Sequence, residues 1–291
     1  MRRLILLVLC LVSCGKRGAS CPEGESRPLL LVSIAPYRSF VERIVGPEFR
    51  VQTIVPQGDS AHSYEPTARQ VAQMSQGRIW FRIGEPFEEK ILPFLKEHNP
   101  NLVVLDLREG IEMLHAEEVG CSHCAHDHED RHIWMSPTLA AKQVQAMAEL
   151  LQKTFPSNNQ NFQANADLLC RELVALDLEI IGKLKGVDRR AILVSHPAFG
   201  YFCHDYQCEQ LSVEYEGKEP RPQYLERLLH QAADQHVALA IALPQYNNRG
   251  AQRIAEQLQL PVQLLDPYSP EYFQTMRRLA SWIADPLLPQ S

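Results

Sequence analysis

Three histidines and one aspartate, His62, His132, His196 and Asp266, each stand where an apolar run gives way to a turn. Their separations are 70, 64 and 70 residues, so no two share a helical turn and only the fold can gather them. Imidazole and carboxylate donors together suit zinc or another first-row transition metal. Taken singly, each has a plainer reading. A lone histidine is more often a surface or hydrogen-bonded core residue, and an aspartate before a proline can merely cap a turn. The weight lies in the joint pattern.

The elements that must position these four alternate. In the first half, strands are expected at Leu29–Ile34, Phe49–Val55, Ile79–Ile83 and Leu102–Leu107, and helical spacing at Tyr37–Val45, Thr67–Met74 and Pro86–Glu97. In the second half, strands are expected at Ala191–Ser195, Gln210–Val213, Ala238–Leu243 and Val262–Leu265, and helices at Arg221–Gln235, Asn248–Leu258 and Pro270–Ile283. Such alternation implies parallel sheets covered by helices, an α/β architecture. Between the halves nothing resembles a strand. Thr138–Phe155 is amphipathic, Pro156 stops it, and a second helical pattern runs from Asn158 to Leu184 without Gly or Pro before Gly182.

The expected organisation is therefore two lobes, 29–157 and 186–291, each with a mostly parallel sheet, joined by one long rigid helix at 158–185. A helical excursion within a single domain gives the same pattern. In open parallel sheets, ligands bind beyond the carboxyl ends of the strands. His196 follows AILVS and Asp266 follows VQLL, while His62 lies in the turn-rich stretch after Val55 and His132 precedes a helix start. Two candidates fall in each lobe, which points to a site between the lobes.

Residues 1–14 read as a targeting segment: a basic start, a nine-residue apolar core at Leu4–Val12, and then Ser13-Cys14. The core is too short to span a bilayer and suits a signal peptide. Leu11-Val12-Ser13-Cys14 resembles a bacterial lipobox, with Cys14 as the lipidated residue; a plain secretory signal is the other reading. Residues 15–28, polar and rich in Gly, Ser and Pro, read as a flexible tether. No later segment is long and apolar enough to span a membrane. The formal charge of −6 becomes −8 once Arg2 and Arg3 leave with the signal, which disfavours nucleic acid and suits a cation ligand. Outside the cytoplasm disulfides are permitted, and Cys203 and Cys208, flanking a short turn-like stretch, are the candidate pair. Cys170, within a helical pattern, reads as a small buried thiol.

The flanking sequences carry a resemblance. Val55-Pro-Gln-Gly-Asp-Ser-Ala-His-Ser-Tyr-Glu-Pro-Thr67 resembles the first ligand loop of the metal-specific solute-binding proteins of bacterial ABC importers, the cluster A-I family. His132-Ile-Trp-Met-Ser-Pro137 resembles the second loop, with Arg131 where the family pattern has Pro. Val194-Ser-His-Pro-Ala-Phe-Gly-Tyr-Phe202 resembles the third and Leu265-Asp266-Pro267 the fourth, and Glu214–Pro220 also looks like a family segment. The resemblance spans about residues 29 to 284. It implies two α/β lobes bridged by a rigid helix and a monomer that captures a divalent metal outside the inner membrane. The metal would pass to a membrane permease with its ATPase. Residue by residue it implies His62, His132, His196 and Asp266 as ligands. Manganese-suited members tend to carry a carboxylate at the position of His196, so three imidazoles favour Zn2+, with Mn2+ or Fe2+ as alternatives.

Just before His132 lie Cys121, His123, Cys124, His126 and His128. Three readings stand side by side: a collecting loop like that of zinc-specific family members, a separate zinc site with Cys-x-x-Cys spacing, or a solvated loop with a disulfide. Glu65 is the expected partner of a ligand imidazole. The rival functional classes are a zinc hydrolase and an adhesin-type lipoprotein. A catalytic zinc keeps an open position and a general base, whereas four protein ligands would close the shell. The chain carries no Gly-x-Ser-x-Gly, and although His128-Glu129-Asp130-Arg131-His132 has the His-Glu-x-x-His spacing, it lies in a polar Cys- and His-rich stretch without the helical pattern that would put both histidines on one face. The expectation is a binding protein and not an enzyme.

Overall fold

The sheets set the architecture. The computed structural model describes residues 27–115, 129–158, 161–188, 191–214 and 221–287. Among these, β1 (Leu29–Val32), β2 (Arg50–Thr53), β3 (Ile79–Arg82) and β4 (Val103–Asp106) form one parallel sheet in the order β2-β1-β3-β4. A second parallel sheet of β5 (Ala191–Val194), β6 (Glu209–Ser212), β7 (Leu239–Ala242) and β8 (Val262–Leu264) repeats that order as β6-β5-β7-β8. The central strands β1, β5 and β7 are buried throughout, as parallel strands covered on both faces must be, and the edge strands β2, β4 and β8 are not.

In each sheet the chain reverses direction of travel at the first strand. That leaves a crevice at the carboxyl ends where the order switches. The covering helices of the first lobe are α1 (Ala35–Val45), α2 (Ala68–Met74) and α3 (Pro86–His98). Their starts are encoded locally. Pro36 and Pro86 occupy first-turn positions, and Thr67 and Gln70 close a reciprocal capping box at α2. α4 (Pro137–Thr154) opens on Ser136, whose hydroxyl accepts from Leu139 N at 3.2 Å, so the helix begins one short turn after His132.

α5 (Phe162–Leu184) is 23 residues, about 34 Å long. It begins later than Asn158, which lies in a separate one-turn segment. Its buried stripe, Leu169, Leu173, Leu176 and Ile180, packs against α4, α1 and the C-terminal helix α9 (Tyr272–Ala284). Arg43 pairs with Glu172 at 2.6 Å and Arg277 with Glu179 at 2.8 Å, tying α5 to an element of each half. α9 returns to the first lobe, where the Tyr272 ring meets Phe40 edge-on at 4.9 Å. The second sheet is covered further by α6 (Gly200–Tyr206), α7 (Pro222–Asp234) and α8 (Arg249–Leu258). α6 was not apparent in the sequence and takes Cys203 into a helix. Cys203 and Cys208 are buried thiols rather than a disulfide, and the Cys208 thiol points to the Tyr206 carbonyl. Cys170 is a partly buried thiol on α5. Among the described residues no helix is long and apolar enough to cross a membrane.

Candidate metal centre

The imidazoles of His62, His132 and His196 converge. One ring nitrogen of each lies within 4.8 Å of those of the other two. His62 is carried by the loop after β2, and β5 ends immediately before the turn that holds His196. His132 opens the short turn that leads into α4. Two rings come from the first lobe and one from the second. His132 and His196 are buried, and the His62 side chain keeps 26% exposure.

Each ring is anchored from behind by its own carboxylate. Glu85 Oε2 lies 2.9 Å from His62 Nδ1, Asp130 Oδ1 2.7 Å from His132 Nδ1, and Glu214 Oε2 2.7 Å from His196 Nδ1. A carboxylate on Nδ1 fixes the proton there and turns the Nε2 lone pair toward the centre. His62 Nε2 and His132 Nε2 are 3.2 Å apart, and His196 Nε2 is buried without a partner. With both Nδ1 positions protonated, two lone pairs face each other at hydrogen-bond distance. That arrangement is favourable when a cation sits between them.

The charges are arranged to match. Burial pushes the His62 imidazole toward the neutral form, but the Glu85 carboxylate outweighs it and the pKa is raised. Glu85, fully buried, is lowered in turn: burial raises it, and the His62 contact more than reverses that. His196 is held well below the usual histidine range by burial and by the two neighbouring imidazoles, which keeps its lone pair available. Burial lifts Glu214 to about 7.

Glu85 reaches its post through an unusual backbone. Gly84 adopts φ +82°, and a Cβ there would meet the Arg108 guanidinium. Glu88, at the start of α3, accepts from the N–H groups of Ile83, Gly84 and Glu85, and it bonds Ser33 Oγ. The turn that delivers Glu85 is thus held by a second buried carboxyl.

Asp266 is not brought into the trio. Its Oδ1 accepts from Gln245 Nε2 at 2.7 Å and from Tyr268 N at 2.8 Å. Glu65 is exposed and pairs with Lys90 at 2.9 Å, because the loop after His62 turns it outward; the carboxylate behind His62 is Glu85. Cys14, Cys121, His123, Cys124, His126 and His128 lie outside the described residues. Sequence reasoning missed Glu85, Asp130 and Glu214 as partners of the imidazoles. Glu85 and Glu214 stand just beyond β3 and β6, so the strand-exit criterion that singled out His196 was available for both.

Two parallel α/β lobes, a long helix between them and a buried three-imidazole centre define a metal-binding solute-binding protein of the two-lobed kind. The family model for ZnuA, zinc-uptake complex component A, periplasmic, matches residues 30–285, and the chain belongs to this family. A relative from Chlamydia trachomatis serovar D is 30% identical over 289 residues, covering 98% of this chain and 100% of its own. A crystal structure of ZnuA superposes with a TM-score of 0.82 at 32% identity, over 89% of this chain and 99% of that one. The zinc-binding lipoprotein AdcA of Streptococcus pneumoniae serotype 4 is 25% identical over 226 residues, which are 72% of this chain and 43% of AdcA. The family is a metal-binding transport component of ABC importers and not a family of enzymes.

Proposed function

We propose that this protein captures Zn2+ between its two lobes outside the cytoplasm and delivers it to a membrane permease with its ATPase. The observation that carries the reading is the set of three Nε2 atoms aimed at one point, each imidazole backed by a carboxylate. The separation of His62 Nε2 and His132 Nε2, 3.2 Å, is close to the ~3.3 Å expected of two nitrogens ~2.0–2.1 Å from a tetrahedral zinc. A donor set of three nitrogens favours zinc over manganese, which prefers more oxygen.

Asp266 is the fourth donor in this reading. Its Oδ1 is held by Gln245 and Tyr268, so the side chain would have to swing its Oδ2 toward the three imidazoles to take the ion. The same site with Mn2+ or Fe2+ is the alternative within the family. Lipidation at Cys14 would hold the chain at the membrane that contains the permease, and Cys121 to His128 would serve as an auxiliary collecting loop. Zinc-uptake membership and the zinc-binding relative support the metal assignment.

The test is metal analysis of protein purified from its natural compartment, followed by competition among zinc, manganese and ferrous iron. One equivalent of chelator-removable zinc, held more tightly than the other two and without turnover, is expected. Tighter manganese binding would reassign the cargo. Hydrolase activity that tracks metal content would overturn the transport role.

A further inference from the structure

The three imidazoles are unequally open. The side chains of His132 and His196 are 4% and 9% exposed against 26% for His62, so an ion bound among them enters and leaves past His62. Beside that opening two hydroxyls meet across the lobes. Ser60, two residues before His62 on the loop after β2, donates to the Tyr246 hydroxyl at 3.1 Å. Tyr246 stands on the turn after β7, in the other half of the molecule.

The Tyr246 ring does a second thing. It lies flat on the imidazole of His196, with centroids 3.9 Å apart and planes within 4°. The turn that presents it is braced. Asn248 Oδ1 accepts from Leu243 N, Asn248 Nδ2 donates to the carbonyls of Leu243 and Tyr246, and Ser195 Oγ accepts from Leu243 N. A single side chain therefore sets the plane of the second lobe's ligand and, through its hydroxyl, holds the first lobe's ligand loop.

We propose that Tyr246 is a positioning residue that clasps the two lobes through Ser60 and controls how fast the captured metal is released. The proposal rests on the metal-capture reading above. A hydrogen bond of this kind is worth about two- to tenfold in a rate or an equilibrium. The ring and the hydroxyl are separable. Tyr246→Phe keeps the stack on His196 and loses the clasp, while Tyr246→Ala loses both.

The experiment uses the zinc-loaded full chain and measures zinc release to a chelator by stopped flow for wild type, Tyr246→Phe, Ser60→Ala and their double variant. Each single variant is expected to release zinc about two- to tenfold faster, and the double variant no faster than the faster single one. In the cobalt-substituted protein, Tyr246→Phe is expected to keep the wild-type visible spectrum and Tyr246→Ala to change it, a signature that general loosening of the fold would not divide in this way. Unchanged release in both single variants, or effects that multiply in the double variant, would overturn the clasp while leaving metal capture intact. Failure of the wild-type chain to take up one equivalent of zinc would overturn metal capture, and the clasp with it.

Discussion

The two lobes share a strand order yet bury their sheets differently. In the first lobe, Leu29, Leu30, Leu31 and Val32 of β1 all belong to one core, which continues through α4, α5 and α9. In the second, β5 is split. Ile192 and Val194 face that same core, whereas Ala191 and Leu193 face a separate smaller one closed by Leu228 and Ala232 of α7 and Ile254 of α8. Alternation along the strand makes the division, since successive side chains point to opposite faces. The first lobe, the long helix and the inner face of the second sheet thus form one packed body. The outer layer of the second lobe is attached to it. The three-imidazole cluster spans the body's crevice, with two rings on one side and one on the other.

The sharpest way to break this comparison is at the ligands. His132→Ala and His196→Ala are each expected to weaken zinc binding by at least about 100-fold, beyond the roughly 10–100-fold expected for their anchors in Asp130→Asn and Glu214→Gln. Isothermal titration with a competing chelator measures all four. A loss below tenfold in both second-lobe variants would show that the first lobe holds the ion alone. Packing comes next. Leu176→Ala, in the continuous core, and Leu228→Ala, in the outer layer, should each cost on the order of 2–5 kcal/mol in denaturant unfolding. Only the first is expected to reach the metal site. For Leu228→Ala, hydrogen exchange should quicken in α7 and α8 while zinc affinity holds. Equal exchange changes in both lobes would mean the two cores are one.

A pH effect tests both lobes, since burial lifts Glu88 in the first and Glu214 in the second to about 7. Burial lifts Glu88 to about 7, above the unfolded carboxyl value of 4.5. A raised acid keeps its proton in the fold after the unfolded chain has lost it. Its contribution is therefore complete below about pH 4.5 and is lost as pH rises toward 7. The loss should be on the order of 1–3 kcal/mol, and Glu88→Gln should remove this share of the slope. Metal-free protein unfolded at a series of pH values shows the slope. The slope that remains in Glu88→Gln is expected to belong to Glu214 and to vanish in the Glu88→Gln, Glu214→Gln double variant; a slope that survives there would place the titrating group elsewhere.

Much of this is legible in the sequence, for identifiable reasons. Strands such as AILVS and ALAIAL are apolar on both faces and bounded by turns, so the parallel sheets announced themselves. The observed strands end one or two residues sooner; at the end of β7, for example, the Leu243 N–H turns to Ser195 Oγ and Asn248 Oδ1. The three histidines were marked by their place at strand or helix ends. What sequence could not show was which oxygen sits behind which ring. That depends on crevice geometry, where Glu85 lies 23 residues from His62 in sequence yet 2.9 Å from it in space. Asp266 met the same strand-exit criterion but is turned to Gln245, a contact that no spacing encodes.

Glu65 and Glu85 make the smallest expected effect and the cleanest contrast. Glu65 is three residues from His62, but it is exposed on the loop and its partner Lys90 is equally solvated, so water replaces either group at little cost. Burial raises the Glu85 carboxyl, but its contact with His62 more than reverses this, so Glu85 stays a carboxylate in a fully buried position. Glu65→Ala should therefore leave zinc affinity within about twofold of wild type, while Glu85→Gln should fall in the roughly 10–100-fold range of its counterparts. Both variants go into the same competition titration. If Glu65→Ala weakened zinc binding as much as Glu85→Gln, proximity along the chain would have counted for more than burial. The loop after β2 would then have to close over the bound ion and carry Glu65 inward.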